Sequence, residues 1–220
     1  MKKLPVAVIV FLISFSLSAQ ETENENHKNE LGIEFTTFVR SLLPYEQGLS
    51  QFPLQPFFLT YKRHFGNSAL RLGAGGNLTI LQDTGGYNTQ RNYTDRRHGA
   101  NLRIGWEFQQ LLSRKLKVYY GADIVGGYGF SVAHHLSSQH GTPDWITTTT
   151  SFGAGPILGI QWWLTPRISF ATESSFYISR INSESEFRYV NTPENNKYTL
   201  RRTIQGNFAP PLFIYFTFRI

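Results

Sequence analysis

Apolar and polar residues alternate with a period of two over most of the chain. Between Leu102 and Phe108, apolar side chains occupy every even position, while Arg103 and Glu107 stand at odd positions. A period of two places successive side chains on opposite faces of a β-strand. Similar alternation recurs over residues 31–36, 57–62, 70–80, 100–109, 116–124, 151–162, 168–178 and 212–220, and no segment has a convincing helical period. The pattern therefore predicts an all-β fold of eight strands.

The connections between these strands alternate in length. Three are short, at residues 66–68, 111–115 and 164–167, and four are long, at residues 40–55, 81–97, 131–146 and 181–205. Short turns at one end and long loops at the other are typical of outer-membrane barrels, whose strands need roughly 9–11 residues to cross the bilayer. We therefore predict an eight-stranded antiparallel up-and-down transmembrane β-barrel with both termini at the same end. The alternative is a soluble lipocalin-like barrel, whose apolar face points inward.

The N-terminal part carries a secretion signal. Residues 1–19 combine a basic start at Lys2 and Lys3, an apolar stretch and small residues before Ala19, which is typical of a cleaved signal peptide. Residues 20–30 are polar and are interpreted as a flexible periplasmic leader, which leaves residues 31–220 for the barrel.

Composition removes several classes of function. The chain has 220 residues and no cysteine, which excludes disulfide scaffolds, thiolate metal sites and cysteine nucleophiles. The net charge of +6 falls to +4 without Lys2 and Lys3, and the basic residues are dispersed. We therefore expect no nucleic-acid partner.

Charged residues lie on the polar side of the alternation, which is the inner face of the predicted barrel. An eight-stranded barrel is just wide enough for side chains to fill it, and charges buried there must pair. Five basic and four acidic residues form a nearly neutral set, so we predict a barrel-interior charge network that fills the barrel; a narrow channel for small solutes is the alternative. The predicted network consists of Glu34, Lys62, Arg71, Arg103, Glu107, Lys117, Asp123, Glu173 and Arg219.

Aromatic residues cluster near the predicted strand ends, where membrane barrels carry interfacial girdles. The predicted girdle consists of Trp106, Phe108, Tyr120, Trp162, Trp163, Phe216 and Phe218.

One polar connection contains residues that could do chemistry. His134, His135 and Ser137, with His140 and Asp144 downstream, offer the histidine, serine and carboxylate that acyl transfer uses. The sequence favours an ordinary polar loop with surface histidines, because these residues lie in a predicted long loop. The histidine spacing matches no specific metal site, and we expect no metal and no cofactor.

The signal peptide, eight alternating strands, short turns, long loops and the apolar-aromatic terminal strand resemble the small outer-membrane β-barrel family of OmpX-type or PorT-like proteins. The resemblance covers residues 31–220. It implies insertion in the outer membrane of a Gram-negative bacterium and contact with outer-membrane lipid. It also implies recognition by the outer-membrane barrel-assembly machinery, with Phe216, Phe218 and Ile220 as the C-terminal assembly signal, although Ile220 replaces the more usual phenylalanine.

We expect a non-enzymatic outer-membrane barrel that acts through its extracellular loops or as an envelope structural or interaction protein. Its extracellular ligand or partner protein is not identified by the sequence. The alternative is an outer-membrane lipid-modifying enzyme similar to lipid A deacylases, which would use His135 and Ser137.

Overall fold

The computed structural model describes residues 28–36, 57–84, 92–136, 144–189, 195–211 and 213–220. The predicted signal peptide and most of the predicted leader lie outside these residues. The strands are β1 (Asn29–Glu34), β2 (Leu59–Phe65), β3 (Ser68–Thr84), β4 (Asn92–Leu111), β5 (Leu116–Leu136), β6 (Asp144–Trp163), β7 (Ile168–Arg188), β8 (Lys197–Ala209) and β9 (Ile214–Arg219). In the part of the chain that the structure describes, no helix is long and apolar enough to cross a membrane.

The nine strands form one antiparallel sheet that closes on itself. Strands β1 to β7 pair consecutively, and β9 pairs with both β7 and β1. Residues 168–172 of β7 pair with β9, whereas residues 175–187 of the same strand pair with β8. Because β8 and β9 share one place in the ring, the barrel is eight-stranded. The predicted antiparallel up-and-down barrel of eight strands is therefore confirmed.

The three predicted short turns and both described termini lie at one end of the barrel, here called the turn end. The hairpin between β2 and β3 has two residues outside the ladder, Gly66 and Asn67, and Gly66 has a φ of 61°. Glycine adopts this left-handed conformation without the cost of a Cβ atom. The opposite end is called the loop end.

Three of the predicted long connections are shorter than predicted, because the strands continue into them, and the fourth, at residues 40–55, lies outside the described residues. β3 extends to Thr84, β4 starts at Asn92, and β8 occupies most of the second half of the predicted 181–205 loop. At the turn end, β1 starts at Asn29, so Glu30 belongs to the barrel and not to the predicted leader. Hydrophobic periodicity missed these extensions because their outward side chains are mostly polar. The backbone hydrogen bonds between the strands form there without an apolar face.

The distribution of side chains is inverted relative to a soluble protein. Apolar residues such as Leu102 and Ile104 on the outer face are 64% and 48% exposed, whereas Arg71 and Glu107 inside are 1% and 0% exposed. A small apolar cluster also lies inside the barrel and contains Tyr119, Ile157, Ala171, Phe213 and Tyr215. The interior is thus filled mainly by polar and aromatic side chains.

Candidate functional site

The candidate site is the charged interior near the turn end of the barrel. All nine residues of the predicted network point to the inner side; eight of them are buried and Arg219 is half-buried. Their inward orientation follows from the pleat, because each lies on the same side of its strand as its buried neighbours two residues away.

Arg71 on β3 is the centre of this interior. Its guanidinium contacts three carboxylates: Nη1 lies 3.3 Å from Glu107, Nε 3.2 Å from Asp123, and Nη2 2.7 Å from Glu173. The planar guanidinium has five N–H donors, so it can serve several carboxylates at once. Arg71 thereby links strands β3, β4, β5 and β7.

Arg103 on β4 forms a second centre toward the loop end. Its Nη1 donates to Glu173, and it lies 3.7 Å from Asp123. The guanidinium also stacks over the ring of Phe57, 4.6 Å from the ring centroid. The Tyr177 hydroxyl donates to the second oxygen of Asp123 at 2.8 Å. Both arginines therefore share the same two carboxylates, Asp123 and Glu173.

Lys62 on β2 is the cross-strand partner of Arg71 on β3. Its ammonium lies 3.0 Å from Glu107 and 3.9 Å from the centroid of the Tyr119 ring. The Gln109 amide also donates to Glu107 at 2.6 Å, and its oxygen accepts from Lys117 at 3.1 Å. Glu107 therefore receives donors from three different strands.

Glu30 completes the interior at the turn end. It lies 3.3 Å from the His64 ring nitrogen and accepts a hydrogen bond from Gln161 at 3.0 Å. Gln161 also donates to Ser169 at 2.6 Å and to Thr217 at 3.2 Å, which links β1, β6, β7 and β9. Sequence reasoning missed Glu30 because it stands at the end of a polar segment. Glu30 lies four residues before Glu34, and residues an even number of positions apart in a strand share a face. This spacing could have placed Glu30 inside the barrel.

The predicted aromatic girdle requires one correction. Six of its seven members lie on the outer side of the sheet, but Trp163 is 7% exposed and faces inward. The Arg219 guanidinium lies 3.9 Å from the centroid of the Trp163 ring, and the Lys117 ammonium 5.6 Å from it. In the Trp162–Trp163 pair one ring must face each way, and the inner ring packs against two cations.

Glu34 lies apart from the central cluster. Its carboxylate accepts a hydrogen bond from the backbone N–H of Thr36 at 2.6 Å, where the chain leaves β1. The described interior otherwise contains cations and carboxylates in near balance, interleaved with tyrosine and glutamine. Such an arrangement can rigidify the barrel and close its lumen to solvent. Among the described residues, no group of three or more acidic or histidine side chains is placed to hold a metal ion.

The histidine-containing segment lies at the loop end. His134 and His135 belong to β5 and not to a loop. His134 Nδ1 lies 2.7 Å from Asp144 on β6, whereas Ser137 and His140 lie outside the described residues. The structure therefore does not describe how the side chains of His135 and Ser137, the candidate pair for acyl transfer, are arranged.

The loop end also carries exposed ion pairs. Arg188 near the end of β7 donates from Nε to Glu186 at 2.8 Å. This hydrogen bond lowers the pKa of the Glu186 carboxyl. The pair is exposed, and exposed pairs contribute little to stability.

Comparison with known proteins adds little to this geometry. No family model matches the sequence, and no curated protein is similar to it. Among solved structures, the crystal structure of Acinetobacter baumannii CarO is similar over 90% of this chain and 97% of that chain. The TM-score is 0.33 and the sequence identity is 9%. The fold described above rests on the strand pairing alone.

Proposed function

We propose that the chain is a non-enzymatic integral outer-membrane barrel whose interior is closed by a charge network. The inverted distribution of side chains carries this proposal. An outer face of exposed leucine, isoleucine and aromatic side chains is far larger than the apolar patches that soluble monomers tolerate. A lipid bilayer removes that face from water, and the closed sheet leaves no edge in the hydrocarbon.

The height of the apolar belt supports the same proposal. On β4 the outward side chains are apolar from Ala100 to Phe108 and polar from Thr94 to His98. A span of this length matches the roughly 9–11 residues that a tilted strand needs to cross a bilayer. Strand β4 therefore extends beyond the apolar belt at the loop end.

The filled interior argues for a closed lumen. Arg71, Glu107 and Asp123 are each at most 1% exposed. Water and ions would need these side chains to separate, and breaking buried ion pairs is costly. We propose that the protein acts through the part of the barrel at the loop end, which faces the cell exterior.

Four measurements test the proposal. Membrane fractionation should recover the protein with outer membranes, and its gel band should shift on heating, as folded barrels do. The purified protein should give no stepwise conductance in planar bilayers, and lipid A mass spectra should be the same with and without it. Recovery in the soluble fraction would refute membrane insertion, and steady conductance would refute the closed lumen.

A further inference from the structure

Arginine occupies the position directly above the apolar belt on two neighbouring strands. Toward the loop end, the outward side chains of β7 change from apolar at Ile178 to polar at Arg180. On β8, which runs in the opposite direction, Ile204 lies in the belt and Arg202 is the next outward residue toward the loop end. In an inserted barrel, both guanidinium groups would therefore lie at the level of the lipid headgroups.

The two arginines are close neighbours on the outer face. Arg180 pairs with Ile204, and Arg202 pairs with Asn182, so the arginines occupy diagonal positions on adjacent strands. Diagonal neighbours in an antiparallel pair are about 7–8 Å apart, a distance that long side chains span readily. One anionic group can therefore contact both guanidinium groups.

Both guanidinium groups are free to bind an external group. In the part of the chain that the structure describes, neither Arg180 nor Arg202 makes an ion pair or a hydrogen bond through its side chain, and both are exposed. Glu184 lies on the same face, two residues beyond Asn182 and farther from the belt, and it accepts a hydrogen bond from the Tyr198 hydroxyl. The positive charge beside the belt is therefore not neutralised by a described carboxylate.

The same row of the sheet supplies further hydrogen-bond donors. Thr150 on β6 pairs with Asn182 on β7, which in turn pairs with Arg202 on β8. A hydroxyl group and a side-chain amide can both donate to an anion that the guanidinium groups hold. The surface is therefore suited to a group with several acceptor oxygens and a negative charge.

Apolar side chains lie beside the arginines on the membrane side. Arg180 has Phe152 of β6 as its cross-strand partner on one side and Ile204 of β8 on the other, and these two residues are 65% and 77% exposed. Ile178, two residues before Arg180, is also exposed. An acyl chain can cover these side chains, and such burial of apolar surface is favourable. The surface thus places an anion-binding part above an apolar part.

We propose that Arg180 and Arg202 bind a phosphate group of a lipid in the outer leaflet, and that an acyl chain of this lipid lies on Phe152, Ile178 and Ile204. A guanidinium binds phosphate through two parallel N–H···O bonds, a geometry that lysine does not offer. The adjoining apolar side chains favour a lipid over free phosphate. The proposal rests on the proposed function, because it requires an inserted barrel whose loop end faces the cell exterior.

Arg201 provides a matched control for the two arginines. It is adjacent to Arg202 in sequence and equally exposed, but it pairs with Ser183 and therefore points to the inner side of the sheet. Arg201→Gln and Arg202→Gln remove the same charge from the same strand on opposite faces. Because all three arginines are exposed, replacing them by glutamine should leave the barrel folded.

The test is native mass spectrometry of the purified full chain in a neutral detergent, titrated with diphosphoryl lipid A. The measured quantity is the lipid concentration at which half of the protein carries one lipid. The double variant Arg180→Gln/Arg202→Gln should require a concentration about tenfold or more higher, and Arg201→Gln should change it by less than about twofold.

Two further probes distinguish the lipid from its parts. Dephosphorylated lipid A should bind the unaltered protein more weakly, and the double variant should not weaken its binding further. Inorganic phosphate at the same concentration should not displace diphosphoryl lipid A, because it has no acyl chain to cover the apolar side chains.

Failure of this site and failure of the proposed function give different results. A heat-shifted gel band shows that each variant is folded, independently of lipid binding. If the double variant binds diphosphoryl lipid A as tightly as Arg201→Gln does, or if dephosphorylated lipid A binds equally well, the phosphate site is refuted while membrane insertion stands. Displacement by inorganic phosphate would refute a lipid as the occupant. Cell-surface labelling that places the loop end in the periplasm would overturn the outer-leaflet location together with the proposed orientation.

Discussion

The pair formed by Lys62 and Glu107 allows the charge network to be tested by a double-mutant cycle. Among the described residues, Glu107 is the carboxylate that pairs with Lys62, at 3.0 Å, whereas Arg71 also contacts Asp123 and Glu173. Glu107→Gln therefore leaves the buried Lys62 ammonium without a carboxylate partner, while Arg71 keeps its other partners. We expect a loss of about 3 kcal/mol in the free energy of unfolding, the lower end of the range for breaking a buried pair.

The reverse deletion should cost less. Lys62→Met removes the ammonium, but Glu107 keeps Arg71 at 3.3 Å and Gln109 at 2.6 Å. The lost charged hydrogen bond is worth about 1.5–3 kcal/mol. The double variant has lost both charges, so no cation is left buried without its carboxylate. Its cost in the free energy of unfolding should therefore fall short of the sum of the single costs by about 1–3 kcal/mol.

The assay is urea unfolding of the protein in lipid vesicles, followed by tryptophan fluorescence. Glu186→Gln is the control, because Glu186 pairs with Arg188 at the exposed loop end, and it should leave the unfolding midpoint unchanged. Strictly additive costs for Lys62 and Glu107 would refute the network, as would a neutral effect of Glu107→Gln.

Other parts of the molecule give three further expected outcomes. Ile104→Arg on the outer face should cost about 2–4 kcal/mol in vesicle unfolding, whereas Gln110→Arg on the same face beside the turn end should cost about 0–1 kcal/mol; equal costs would contradict the depth of the belt. An epitope tag at Asn195 should be detected on intact cells, while a tag at Ser113 should require permeabilised cells; the opposite labelling would reverse the topology. Gly155→Ala should destabilise by about 1–3 kcal/mol, because its Cβ would clash with the backbone oxygen of Phe176 on β7; unchanged stability would mean that the strands separate easily there.

Periodicity predicted the part of the barrel with the apolar outer belt well, because there the two faces differ in chemistry. Arg103 and Ile104 are adjacent in sequence and lie on opposite sides of β4, as the alternation predicts. The same signal fades toward the loop end. Residues 147–151 of β6 are Thr-Thr-Thr-Thr-Ser, so neither face is apolar, although the strand continues through them. The three long connections at residues 81–97, 131–146 and 181–205 were therefore overestimated.

Contacts between distant strands could not be predicted from the sequence. The pairing of Arg71 with Glu173 joins residues that are 102 positions apart, and it depends on strand tilt and register. Trp163 was misplaced for a different reason: it has the parity of Gln161, which the alternation puts on the inner face, but its aromatic ring was assigned to the girdle. The cations that select the inner position, Lys117 and Arg219, come from other strands.

The pairing of β9 with β1 has a consequence for the order of folding. Glu30 lies opposite Arg219, so the seam of the barrel joins the two ends of the described chain. Hairpins such as that between β2 and β3 are local and can form early, but this seam has nearly the largest sequence separation in the chain, and such contacts form slowly. The barrel therefore cannot close until β9 is available to pair with β1. Before that moment the chain exposes two unpaired strand edges, the state in which β-proteins are most prone to aggregate.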